Sequence, residues 1–203
     1  WHRRVFWGSE PQAYVQHDFA YLQDTKAVPE YEQVTPAEAF LNSVRQSTEP
    51  MSNGDQTPSM DQTGYQAGIG ALPRWDAVYA VGADRRAFRY MLANSDGGAV
   101  YGVHYRDEAT GYPITIDDYP NTSIAAGGNP ELVQGPTTNP YSSGSGYSHQ
   151  PSVGYLPYVV TGDYFYLEEA HFWSSYNLIW TNYAYRNFSD GWWYTGSLRG
   201  QAW

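Results

Sequence analysis

The sequence predicts a mainly α fold with β additions, built of helical hairpins, and three observations predict it. A phrase recurs at a spacing of about 84 residues, apolar residues at helical spacing follow each copy, and short alternating stretches lie before and between the copies.

The first alternating stretch is "QAYVQHDFAYL" at 12–22, where Ala13, Val15, His17 and Phe19 share one face in the period-2 manner of a strand. A short helix is announced by "TPAEAFLNSV", with Thr35 as cap, Pro36 at the first helical position and Glu38 completing a capping box. Residues 1–50 thus read as a β-rich lead-in with one short helix. Residues 46–64, rich in Ser, Thr, Asn, Gly, Pro and Gln, read as a long loop.

The repeat matches "IGALPRWDAVYAVGAD" at 69–84 with "VGYLPYVVTGD" at 153–163. Both have Gly-x-Leu-Pro, a hydrophobic run, and then Gly followed closely by Asp. The second copy is shorter by about one helical turn, which preserves the buried face. Phe88, Met91 and Leu92 continue the first copy at helical spacing, and Phe165, Phe172, Tyr176 and Ile179 continue the second. The Gly-Asp turn is expected to end one helix with a left-handed residue and to cap the next with a carboxylate. Hairpins are therefore expected at about 66–95 and 149–182, with a third helix starting near 199 in "SLRGQAW". Between the copies, "AVYGVHYRDEATGYPITID" alternates on both sides of "EATG" and predicts an inserted β-hairpin.

Composition narrows the function. The 203 residues carry 17% aromatics, with 8 Trp and 20 Tyr, but only 16% charged residues, a surface chemistry common in secreted and sugar-handling proteins. The net charge of −10 and a single lysine, Lys26, set nucleic acid aside, since phosphate neutralisation needs a basic face. No apolar run approaches the length of a membrane span and no signal peptide is seen. The absence of cysteine excludes disulfides and thiolate metal sites. Starting at Trp1 and stopping at Trp203 within a helical pattern, the chain reads as a processed or excerpted segment.

Hairpins with a Gly-Asp turn, long loops before each first helix, and phrases such as "GYLPYVVTGD" and "RGQAW" resemble the (α/α) toroids of carbohydrate-active enzymes, polysaccharide lyases and glycoside hydrolases among them. The resemblance covers roughly 60–203 and implies a partial toroid spanning 51–203, with the barrel completed by further chain of the same protein or by a partner subunit. It implies a polysaccharide or oligosaccharide partner, an extracellular or cell-surface location, and a substrate cleft among the loops 46–68, 93–152 and 181–200.

Two reactions on a glycosidic bond ask for different residues. Hydrolysis uses two carboxylates, whereas uronate lysis uses a base and a group that neutralises the substrate carboxylate. His104, Tyr105, Asp107 and His149 are the catalytic candidates; alternation puts His104 and Arg106 on one face of the hairpin, and Tyr105 and Asp107 on the other. Arg106, Gln150, Arg199 and Gln201 are candidates for holding a sugar acid, with His149, Gln150, Arg199 and Gln201 near first-helix N-termini. Trp192 and Trp193, in the Gly-flanked "DGWWYTG", are candidates for stacking on sugars. A structural reading runs beside these, in which Arg106 pairs with Asp107 or Asp118 and the rim residues cap helices. Trp75, Trp173 and His171 read as structural. No cofactor and no metal is expected, because no calcium-loop pattern frames Glu108, Asp117 or Asp118. The set favours a lyase acting on an acidic glycan. The alternatives are a non-catalytic glycan-binding or structural component of a large assembly, such as a virion or cell-surface protein, and a glycoside hydrolase using a carboxylate pair.

Overall fold

The structure is a computed structural model that describes residues 14–56, 67–68, 70–120 and 152–180, the single positions Gly8 and Thr122, and the backbone of 186–187 and 192–193. It is mainly helical over these residues. The chain divides into two compact units, the first holding the described residues up to 56, 70–100 and 152–167, the second those from 101–122 and 168 onward.

The first unit opens with an extended stretch, 14–18, and a helix α1, Phe19–Asp24. The strand expected over 12–22 is therefore corrected. Asp18 accepts a hydrogen bond from the Tyr21 amide at 3.0 Å, and this cap starts a helix where alternation alone suggested a strand. No described residue of 14–18 pairs as a strand; instead, His17 bonds Tyr79 Oη and the Val160 carbonyl. Of the β-rich lead-in expected for 1–50, the described stretch 14–50 holds two short helices and no strand, and most of 1–13 lies outside the described residues.

Helix α2 spans Glu38–Ser43 with Ala37 as its N-cap and no side-chain cap bond. The capping box expected from Thr35 and Glu38 does not form. Arg86 takes Glu38 instead, with Nη1 at 2.7 Å and Nη2 at 3.0 Å from its two oxygens, and also reaches Asp84 and Asn42. A bidentate guanidinium competes well against a single amide for one carboxylate.

Helices α3, Arg74–Gly82, and α4, Arg85–Gly97, are the first pair, and α5, Tyr155–Thr161, and α6, Tyr164–Trp180, are the second. Apolar periodicity placed the buried side chains well: Trp75, Met91, Leu92, Phe172, Trp173, Tyr176 and Ile179 are all buried. The repeated Leu-Pro differs in register, because Pro73 caps α3 from outside whereas Leu156 and Pro157 lie inside α5. The core of the first unit gathers Phe19, Leu41, Trp75, Tyr79, Met91 and Leu156. Each large side chain so buried contributes about 2 kcal/mol of transfer free energy.

The described part of the loop expected over 46–64, residues 46–56, is a loop without helix or strand, and it is pinned to α4. Asn94 accepts from the Asp55 amide at 2.7 Å, donates to the Tyr90 carbonyl at 2.9 Å, and offers its own carbonyl to Gln56 Nε2 at 2.6 Å. Tyr90 Oη takes N–H groups from Arg74, while Arg45 holds Asp55 at 2.9 Å.

In the second unit, the inserted hairpin shrinks to a turn with one bridge, Arg106 to Pro113. The Asp107 amide donates to the Tyr112 carbonyl and the Ile114 amide to the Tyr105 carbonyl, but pairing extends no further. A 3-10 turn, Gly98–Val100, ends in the first unit just before this segment. Two short strands, β1 at Arg186–Asn187 and β2 at Trp192–Trp193, pair antiparallel. The third helix expected near 199 lies outside the described residues.

Candidate functional site

In the second unit, the stretch 103–107 lies along α6. Alternation puts His104 and Arg106 on one face, and both meet the same ring, Phe172. The His104 ring is edge-on to it at 4.9 Å and the Arg106 guanidinium covers it at 4.4 Å. Beyond the ring each finds a carboxylate. His104 Nε2 lies 3.0 Å from both oxygens of Glu169, and Arg106 Nη2 lies 2.9 Å from Glu168 Oε2. The other imidazole nitrogen of His104 faces the Tyr101 carbonyl at 3.0 Å, and Arg106 Nη1 donates to the Gly111 carbonyl at 2.7 Å. Tyr105 stacks on Tyr176, with rings 17° apart in plane. The structural reading expected Arg106 to pair with Asp107 or Asp118, but its partner is Glu168.

Asp107 builds the turn. One oxygen accepts from the Ala109 and Thr110 amides at 2.9 and 2.7 Å, and the other accepts from the Tyr119 hydroxyl. The Tyr119 hydroxyl, then the Thr110 amide, hold its carboxyl below the usual carboxylate range.

Between this turn and α6 lies a cleft of about 900 Å³. Its helical wall is His171, Ser174, Ser175 and Leu178, one face at i, i+3, i+4 and i+7. The opposite wall runs along 107–119 and carries Asp107, Asp117 and Asp118 with Tyr112, which is 71% exposed. Ser175 Oγ bonds the Ile114 carbonyl and ties the walls together at one end. Asp118 accepts from the Thr115 hydroxyl at 2.8 Å. No arginine or lysine is among the described lining residues. His171, read from sequence as structural, is exposed and lines this cleft.

His149, Gln150, Arg199 and Gln201 lie outside the described residues. Trp192 and Trp193 are described only as the backbone of β2, opposite Asn187 and Arg186. Among the described residues no three acidic or histidine side chains are grouped to hold a metal.

Sequence reasoning missed Glu168 and Glu169, although adjacent glutamates on an otherwise apolar, aromatic helix were a readable signal for basic partners nearby. It also missed Asp76 in the first unit. Asp76 is 1% exposed and neither carboxylate oxygen has a hydrogen-bond partner among the described residues, so burial pushes its carboxyl well above the usual range.

Compared with protein-family models, with curated proteins and with solved structures, the chain matches none.

Proposed function

We propose that the chain is part of a carbohydrate-active protein of the (α/α)-toroid type, working outside the cell or at its surface, with the glycan lying in the cleft between 107–119 and α6. The observation that carries this is the cleft itself, which joins an exposed tyrosine, an apolar floor of Pro113, Ile116 and Leu178, and several carboxylates in one concave surface. Saccharides take that combination, rings on their apolar faces and acceptors on their hydroxyls.

Among the reactions, a hydrolase-like use of two carboxylates is better supported than lysis. Lysis needs a cation available to the substrate carboxylate, whereas Arg106 is bonded to Glu168 and Gly111, and His104 to Glu169 and Tyr101. Asp117 and Asp118 are the exposed carboxylates for the hydrolytic roles, and His171 is the titratable group facing them across the cleft.

A non-catalytic glycan-binding role is the second reading. It is favoured by Asp107, whose two oxygens are both occupied in holding the turn.

The test is to incubate the chain with neutral and acidic polysaccharides, following retention on the polymer, new reducing ends and the ultraviolet absorbance of unsaturated uronates. Retention with new reducing ends supports the hydrolase, and retention alone the binding module. Uronate absorbance reinstates the lyase. Absence of retention on every polymer, with Tyr112→Ala no different from the native chain, overturns the carbohydrate reading.

A further inference from the structure

Resting on that reading, we infer that the cleft takes a glycan whose sugars carry free amino groups and turns away polyuronates. The walls decide the sign of the ligand. Three carboxylates, Asp107, Asp117 and Asp118, line the space, and among the described residues no guanidinium or ammonium does. Asp107 is kept ionised by the hydroxyl and amides that donate to it, so its charge persists well into acid. Asp117 is exposed and its carboxylate has no hydrogen-bond partner among the described residues, which leaves both oxygens for a ligand. Asp118 keeps a second oxygen beyond the one that accepts from Thr115.

The nearest cation along the chain, Arg106, is directed elsewhere. It lies over Phe172 and against Glu168, so it does not offset the carboxylates of the cleft. A uronate entering here would bring a fourth negative charge to a concave wall that, among the described residues, offers it no guanidinium or ammonium and only the His171 imidazole. An ammonium would meet at least one unoccupied carboxylate, an attraction that persists even at the dielectric of water. The apolar floor serves either sugar equally, so charge sets the order: amino sugar first, its N-acetylated counterpart next, uronate last.

The experiment measures binding of the full 203-residue chain to three oligosaccharides of matched length: a glucosamine oligomer, the N-acetylglucosamine oligomer and a polyuronate oligomer. At low ionic strength the glucosamine oligomer is expected to bind about tenfold tighter than the N-acetylated one, with the gap closing as salt is added. The double change Asp117→Asn with Asp118→Asn is expected to remove the gap between the two hexosamine oligomers. Equal binding of the two hexosamine oligomers, or tighter binding of the uronate, overturns the inference and leaves the carbohydrate reading standing. Failure of all three to bind overturns the carbohydrate reading on which the inference rests. The salt dependence in the native chain decides the question even where the double variant folds poorly.

Discussion

In the first helix pair the left-handed residue that ends α3 is Ala83, at φ 49°, whereas in the second pair it is Gly162, at φ 67°. The same phrase, Gly then Asp, thus serves two geometries. With one more residue between them, Gly82 stays helical in the first copy and its missing side chain makes room for Pro36, whose Cδ would lie 2.6 Å from a β-carbon there. In the second copy nothing lies within 4 Å of a β-carbon at Gly162, and the glycine serves the backbone alone. The caps agree: Asp84 accepts from the Arg86 amide at 2.7 Å, and Asp163 from the Phe165 amide at 3.1 Å. A shared motif therefore fixes the cap carboxylate more firmly than it fixes the reason for its glycine.

The largest loss of stability is expected at the start of the second pair. Gly154 has φ 89°, and a β-carbon there would lie 2.5 Å from the Tyr166 carbonyl oxygen. Gly154→Ala is expected to destabilise by about 3 kcal/mol or more, read from denaturant melts, because backbone strain and overlap add. Gly82→Ala comes next, at about 2 kcal/mol, since Pro36 must move; a loss no larger than that of Gly162→Ala would show that close approach is not what the glycine provides.

Asp76 separates the pairs in another way, because α5 buries no acid in its first turn. The native chain holds the Asp76 proton to higher pH than the unfolded chain, where the ordinary value is 3.8. Native protein therefore binds more protons above that value, and this group's contribution to stability is greatest in acid and declines as pH rises. Asp76→Asn removes that decline. Relative to the native chain it should melt higher at neutral pH, by roughly 1 to 3 kcal/mol, and the gap should close toward the acid side of 3.8. A gap that stays constant with pH would assign the difference to packing.

The smallest effects are the reciprocal exchanges of the turn residue. Gly162→Ala should destabilise by about 1 kcal/mol, and Ala83→Gly should stabilise by about 0.5 kcal/mol, the left-handed strain relieved being partly offset by the looser unfolded chain.

Much of the helical frame was legible because it depends on local periodicity. Trp75, Met91, Phe172 and Ile179 read as buried from spacing alone, and they are. Short elements were harder, since their outcome rests on one competing bond. Alternation in 12–22 lost to the Asp18 cap, and the Thr35 box lost Glu38 to Arg86, which lies 48 residues away. For the site, alternation put His104 and Arg106 on one face, and both meet Phe172. What they face there was not legible, because Glu168 and Glu169 are more than sixty residues distant in sequence, and no local pattern records so remote a pairing.

Lys26, in the turn after α1, stands exposed beside a groove of about 450 Å³ that includes Leu72 and Tyr155, and it pairs with Glu30. Because it is the only lysine in the chain, amine-directed reagents have one side chain to find. A fluorophore placed on that side chain would report on the groove from a known address.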